Sequence, residues 1–266
     1  MFVSSASQTW VHSCCSVGEL CRALEDSSVS AIESDIIMAS EPVMAHPPAT
    51  ASDLSFAEFL ERCVSAQAVK HLKLDFKDPA AVVPCLELVK SQKSHLAARG
   101  QCVWLNADVL PGPGVDVSLF DGDDFVRTCT KILPTGVLSL GWRVDLGRGG
   151  GYEAHHVDRL LELLERHELL EPQRVVVTAN LRLSLLGEEQ EISRILDETP
   201  CEVLLWTGTG EPAVSQALVD AWNPRRQQNN RLGFDVKVAE SAPAAIAANL
   251  AFAAYRLAKR FRVQRN

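Results

Sequence analysis

Hydrophobic positions along this chain fall in short runs of strand length, each followed by a longer stretch with helical character. The first run is Thr9 to His12 (TWVH), followed by the helical VGELCRALED. The second, Val29 to Ile37 (VSAIESDII), precedes FAEFLERCV, with the polar SDLS as the cap in front of that helix. His71 to Phe76 (HLKLDF) is the third, after which Asp78 and Pro79 read as N-cap and first residue of a helix through Gln92. Cys102 to Leu110 is the fourth, ended by Pro111 to Gly114 (PGPG) and followed by DDFVRTCTKIL. Gly136 to Trp142 is the fifth; a glycine-rich loop then leads into the amphipathic YEAHHVDRLLELLERH. Arg174 to Asn180, Cys201 to Gly208 and Arg231 to Val238 complete the series. Their helices are predicted near Glu188 to Leu196, in PAVSQALVDAW and in PAAIAANLAFAAYRLAKRF.

Several of these strands are almost continuously apolar, as parallel strands covered on both faces are. Eight strand–helix units in 266 residues predict an α/β fold, a single (β/α)8 TIM barrel over residues 1–266. The competing architecture is an open doubly wound sheet.

Composition narrows the class of protein. Hydrophobic residues make up 47% and charged residues 23%, which suits one large core. No apolar run is long enough to cross a bilayer, and the N-terminal MFVSSASQTWVH lacks a basic leader region. The expectation is an intracellular, cytoplasmic protein without membrane insertion, or an organellar one if a transit peptide has been removed. Eight cysteines without a C-x-x-C pair read as buried reduced thiols. A net charge of −8 argues against a sequence-independent grip on nucleic acid. The local exception is the basic tail Arg256 to Asn266 (RLAKRFRVQRN). It reads as a solvated helix end or as a docking segment for a protein or RNA partner.

A barrel places its active site at the carboxyl ends of its strands. The polar residues there are His12, Glu33 and Asp35, His46 in the following loop, Asp75 and Lys77, and Asn106 and Asp108. Glu33 and Asp35 are two apart on one strand and therefore share a face. Facing outward they would be charges buried under helices, so the barrel mouth is the better place for them. There they could bind a hard cation or be salt-bridged within the barrel. Asp75 adds a third carboxylate from the neighbouring strand, which favours a Mg2+ or Ca2+ site. Lys73, Asp75 and Lys77 share a face, and Lys77 would be free for a phosphate oxygen. His12 and His46 beside a cation would make a general acid and a general base. The loop Val144 to Tyr152 (VDLGRGGGY) could approach an anion, with Arg148 as its charge partner, or act as a lid without ligand contacts. His71, His95, His155, His156 and His167 read as structural or solvated.

The order His12, Glu33-x-Asp35, His46, Asp75-x-Lys77 and a late Trp206 resembles the phospholipase-C-like phosphodiesterase superfamily, which includes the glycerophosphodiester phosphodiesterases. AIESDI, VMAHPP, LKLDFKD, WLNADVLPGP and SLGW resemble the Menorin family more closely. The resemblance implies a barrel with a divalent cation, Mg2+ or Ca2+ with Mn2+ as a substitute. Glu33, Asp35 and Asp75 would be its ligands, with Asp108 as a further candidate. His12 and His46 would be the acid–base pair, and Lys77, Arg148, Asn106 and Trp206 would meet substrate or phosphate. It implies hydrolysis of a phosphodiester beside a free hydroxyl, in a glycerophosphodiester or RNA-type substrate. The chain departs from the glycerophosphodiesterase pattern twice: Ser13 follows His12 where Arg-Gly is usual, and Asp75 stands for a Glu. The alternative is a non-catalytic barrel subunit or scaffold that keeps a relic pocket.

Overall fold

In the computed structural model, residues 3–148, 150–171, 175–186, 189–208, 211–239 and 250 are described. The predicted last helix, apart from Leu250, and the basic tail Arg256 to Asn266 lie outside them. Eight parallel strands form a nearly closed barrel, with helices covering it outside. They are β1 (Trp10–Val11), β2 (Ala31–Met38), β4 (His71–Phe76), β5 (Val103–Pro111), β6 (Val137–Arg143), β7 (Val175–Asn180), β8 (Glu202–Trp206) and β9 (Leu232–Asp235). Each pairs with the next in chain order. A further strand, β3 (Pro42–Met44), runs back antiparallel on β2 and pairs Met44 with Ile36. The sequence pattern did not predict it, because three residues are too few to establish a period.

The intervening helices are α1 (Val17–Glu25), α2 (Phe56–Ser65), α3 (Val82–Ser91), α4 (Lys93–Ala98), α5 (Gly122–Ile132), α6 (Ala154–Arg166), α7 (Leu181–Leu186), α8 (Glu189–Glu198), α9 (Gln216–Asp220) and α10 (Asn223–Gln228). Ser55 caps α2 as its sequence predicts, accepting from the Glu58 N–H at 3.2 Å. Asp78 caps a 3-10 turn, Pro79–Ala81, and α3 begins only after it.

Alternation along each strand separates two interiors. Ile32, Ile36, Leu72, Leu74, Leu105 and Leu140 point outward and join the core under the helices. Ala31, Cys102, Trp104, Val137, Val176 and Leu204 point inward and, with Trp10 and Val3 against them, plug the barrel floor. One or two steps further along the same faces stand Glu33, Asp35, Lys73, Asp75, Asn106, Ser139 and Thr178, all buried. The parallel register puts Asp35 beside Asp75, Asp75 beside Asn106, and Asn106 beside Ser139. An apolar plug below and a polar ring above therefore come from a single change of residue type along each inward face.

The seam between β9 and β1 is closed by side chains and a turn. The 3-10 turn Ser5–Ser7 packs on β8 and β9. Ser5 donates its N–H and its hydroxyl to Glu202 at 2.7 and 2.6 Å. A Cβ on Gly233 would come within 2.4 Å of the Ala6 Cα, a backbone atom that cannot step aside cheaply. Gly233→Ala is expected to lower stability by roughly 1–3 kcal/mol, read as a lower urea midpoint with unchanged slope. An unchanged midpoint would mean that the turn does not close the seam.

Candidate metal centre

Glu33 and Asp35 extend from β2 and Asp75 from β4, and one carboxylate oxygen of each lies within 4.8 Å of the others. All three are buried. Ser13 supports the first two. Its N–H donates to Glu33 Oε2 at 2.5 Å and its hydroxyl to Asp35 Oδ2 at 2.9 Å. To do both, Ser13 takes a left-handed backbone (φ 57°), which is uncommon outside glycine. Lys77 bridges the strands, with Nζ 2.8 Å from Asp75 Oδ2 and 3.3 Å from Asp35 Oδ1. Asp75 Oδ1 is buried without a well-formed hydrogen bond, although the neighbouring Asn106 side chain helps to lower the Asp75 pKa.

His12 stands at the seam. Its Nδ1 is 3.0 Å from Asp235 Oδ2 on β9 and 3.6 Å from Glu33 Oε2. Burial disfavours the charged ring, but Glu33 and Asp235 outweigh it and raise the pKa to about 9. Asp235→Asn removes one of those charges, so the His12 pKa of metal-free protein is expected to fall. An NMR titration of the imidazole checks this, and an unmoved midpoint would remove Asp235 from the site. Lys73 is buried beneath the cluster, 3.9 Å from Asp235 Oδ2.

The charges do not balance. Glu33, Asp35, Asp75, Asp108 and Asp235 face Lys73, Lys77 and His12, five acids against three bases. With all ionised, this group is two positive charges short. Two of the carboxyls are pushed up, above all by burial. Burial and then the neighbouring Asp35 raise Glu33 to about 7. Burial, opposed by Lys77 and reinforced by Asp75, raises Asp108 to about 6. Burial acts against Asp75 too, but Lys77 and Lys73 hold its pKa below the usual range. All-oxygen donors, a carboxylate oxygen without a well-formed hydrogen bond and a deficit of two charges fit a hard divalent cation.

The cluster lines a cavity of about 500 Å3 at the barrel mouth, together with His46, Asn106, Trp206, Arg143 and Glu211. The structure thus brings together His12, Glu33, Asp35, His46, Asp75, Lys77, Asn106, Asp108 and Trp206. Asn106 accepts from the Ser139 hydroxyl at 2.6 Å, which orients its amide. His46 is exposed at the rim, its Nδ1 2.5 Å from the Pro47 carbonyl oxygen. Arg148 is exposed, 4.0 Å from Asp145, and does not line the cavity; Arg143 does. Among the five histidines expected to be structural, His71 accepts from the Cys102 N–H at 3.1 Å and His156 helps cap α6.

Sequence reasoning missed Asp235, Glu211 and Arg143. Asp235 stands at the carboxyl end of the last strand, where the rule that selected Glu33 also selects it. Glu211 lies beyond the end of β8, held by the Gly208 N–H at 2.6 Å and by Asn180, with Arg182 3.3 Å away. Only the fold brings it to the cavity.

The model of the Menorin N-terminal domain matches residues 5–236. The chain belongs to the Menorin family. This Menorin domain is 36% identical over 140 residues to human "Protein FAM151B", an alignment covering 50% of this chain and 49% of that protein. The matched part is therefore about half the length of that relative. A solved structure from Silicibacter pomeroyi DSS-3, provisionally assigned as a glycerophosphoryl diester phosphodiesterase, is similar over 88% of this chain and 90% of its own. Its TM-score is 0.48 and its sequence identity 13%. Of the segments that resemble the family, AIESDI, LKLDFKD and WLNADVLPGP supply the acidic cluster, Lys77, Asn106 and Asp108, and VMAHPP supplies His46.

Proposed function

We propose that this Menorin domain is a divalent-metal-dependent phosphodiesterase acting on a diester beside a free hydroxyl, of the glycerophosphodiester or RNA type. The observation that carries the proposal is the buried, oxygen-lined cluster of Glu33, Asp35 and Asp75, with His12 and His46 lining the same cavity. A cation held by Glu33, Asp35 and Asp75, with Asp108 lining the same cavity, would supply Lewis-acid neutralisation of phosphate charge. Lys77, released from the carboxylates it now bridges, holds a phosphate oxygen. Asn106 and Arg143 position the rest of the substrate, and Trp206 forms part of the wall.

His12 and His46 line this cavity and also a second one of about 600 Å3 beside it. They therefore stand where the two arms of a diester would diverge. One histidine accepts the proton of the attacking hydroxyl as its oxygen bonds to phosphorus. The other delivers a proton to the departing oxygen as the old P–O bond breaks. The products are a cyclic phosphate and an alcohol, and no net proton is gained or lost. Asp235 on Nδ1 orients His12 so that Nε2 is left for the substrate.

The test is a screen of purified protein against glycerophosphodiesters, cyclic nucleotides and short RNAs with Mg2+, Mn2+ and Ca2+. Turnover that disappears with chelator and in His12→Ala is expected. Turnover indifferent to both, or none on any diester, would contradict the proposal. A second reading, a barrel that binds a ligand without turnover, is favoured by Lys77, whose ammonium already bridges Asp35 and Asp75.

A further inference from the structure

Among the described residues, the lysine and arginine side chains that line the cavity of the metal centre are Lys73, Lys77 and Arg143. Two of them already hold oxygens. Lys77 bridges Asp75 and Asp35 at 2.8 and 3.3 Å, and Arg143 donates to the Val117 carbonyl at 3.3 Å. Lys73 makes no hydrogen bond to any described residue. Its ion-pair partner, Asp235 Oδ2, is 3.9 Å away, beyond hydrogen-bond reach. That oxygen is taken by His12 Nδ1 at 3.0 Å.

Yet Lys73 is a buried residue, its side chain 4% exposed. It pairs in register with Glu33 on one side and Trp104 on the other. Trp104 belongs to the apolar plug, whereas Lys73 lines the cavity, so the ammonium rises where the plug gives way to the polar ring. A buried ammonium has little water to solvate it and is normally satisfied by the protein. The other buried lysine follows that rule: Lys70 donates to the Asp26 and Val29 carbonyls at 2.6 and 2.7 Å. A lysine present only to offset Asp235 would sit on that carboxylate as His12 does. Lys73 instead keeps its donors unfilled at the floor of a cavity of about 500 Å3.

We propose that the Lys73 ammonium is a phosphate contact of this site, donating to a non-bridging oxygen of the bound diester. The inference rests on the phosphodiesterase reading and adds to it a residue that reading leaves without a role. The two lysines of β4 differ in what binding asks of them. Lys77 leaves Asp35 and Asp75 before it turns to a ligand. Lys73 gives up no hydrogen bond, so its donors are in place before the anion arrives. A bond from ammonium to phosphate is charge-assisted and among the stronger kinds. Lys73 also stands on the same face of β4 as Asp75, two residues earlier, which sets it below the carboxylates and facing the same cavity.

The test reads anion binding, so that it stands whether or not a diester is cleaved. Inorganic phosphate is titrated calorimetrically into wild type and Lys73→Met at saturating Mg2+, and Mg2+ alone into both. Methionine keeps an unbranched stem and removes the ammonium. Phosphate affinity is expected to fall about 10- to 100-fold, the loss of one charged hydrogen bond. Mg2+ is expected to bind the variant at least as tightly as wild type, because a positive charge has left its neighbourhood. Unchanged phosphate affinity would overturn the contact and leave Lys73 a counter-charge of Asp235. If the variant loses both ligands it has lost the site, and wild type decides. In crystals soaked in tungstate with Mg2+, an oxygen of the anion is expected within about 3 Å of Lys73 Nζ. Tungstate held by Lys77 or Arg143 without Lys73, or no tungstate at saturating concentration, would overturn the proposal. Absence of turnover on every diester would instead remove the phosphodiesterase reading and leave Lys73 as an anion contact.

Discussion

Glu33→Gln is expected to have two effects of opposite sign. Without divalent cation, at pH 8, the variant should be as stable as wild type or more so. The Glu33 carboxyl is buried beside Asp35, and both raise its pKa to about 7, which records that its charge is unwelcome there. A neutral amide of the same shape removes that repulsion and keeps an acceptor for the Ser13 N–H. With cation, the order reverses. Wild type should gain thermal stability in proportion to the logarithm of cation concentration, and Glu33→Gln should gain little. Cation-dependent turnover should fall by about 100- to 10 000-fold, the several kcal/mol expected of charge neutralisation at phosphate. Asp35→Asn should lose turnover to the same extent without the gain in metal-free stability, because it also takes a partner from Lys77. Melting curves with and without cation read the first pair of effects, and initial rates the second. A destabilised metal-free Glu33→Gln would show that the carboxylate is structural.

Trp104→Ala is expected to be the most damaging single change to the fold. Its indole is 1% exposed on the inward face of β5, 5.2 Å from Trp10 and edge-on to His71 at 5.9 Å. With Cys102, Val137, Val176 and Leu204 it fills the barrel floor, where inward side chains from opposite strands meet and no helix can move in to fill a void. Truncation should cost about 3–5 kcal/mol. At about 2–4 °C per kcal/mol for a chain near this size, the melting temperature should fall by about 6–20 °C. Trp104→Phe should recover more than half of the loss, since it refills most of the volume. A fall of only a degree or two would mean that the floor is loosely packed.

Much of this was legible in the sequence, and the parts that were not share a physical cause. Alternation is a local property. Glu33 and Asp35 two apart on one strand, and Lys73, Asp75 and Lys77 on the next, could be assigned to a common face before any coordinates. The eight strands followed from short apolar runs, each succeeded by a helical stretch, and the Ser55 cap of α2 from its polar lead-in. What distance along the chain hides is pairing. Asp235 meets His12 across 223 residues, and the pattern GFDV says nothing of that partner. Arg148, chosen because it sits among glycines, turns to solvent, while Arg143 lines the cavity from the end of β6. The β3 strand, three residues long, is set by its register on β2 and not by any periodicity of its own. Ser13 is the clearest case. Directly after His12, it takes a left-handed conformation and hydrogen-bonds both Glu33 and Asp35.

The measurement that bears most directly on the metal centre is a crystal soaked in Mn2+ and examined by anomalous scattering. A peak is expected among Glu33, Asp35 and Asp75, with the Lys77 ammonium displaced from the Asp35 and Asp75 oxygens it bridges and with Asp75 Oδ1 no longer without a well-formed partner. An empty cluster at saturating Mn2+, with Lys77 still bridging the two carboxylates, would contradict the account. It would make these acids a salt-bridge network of the barrel mouth.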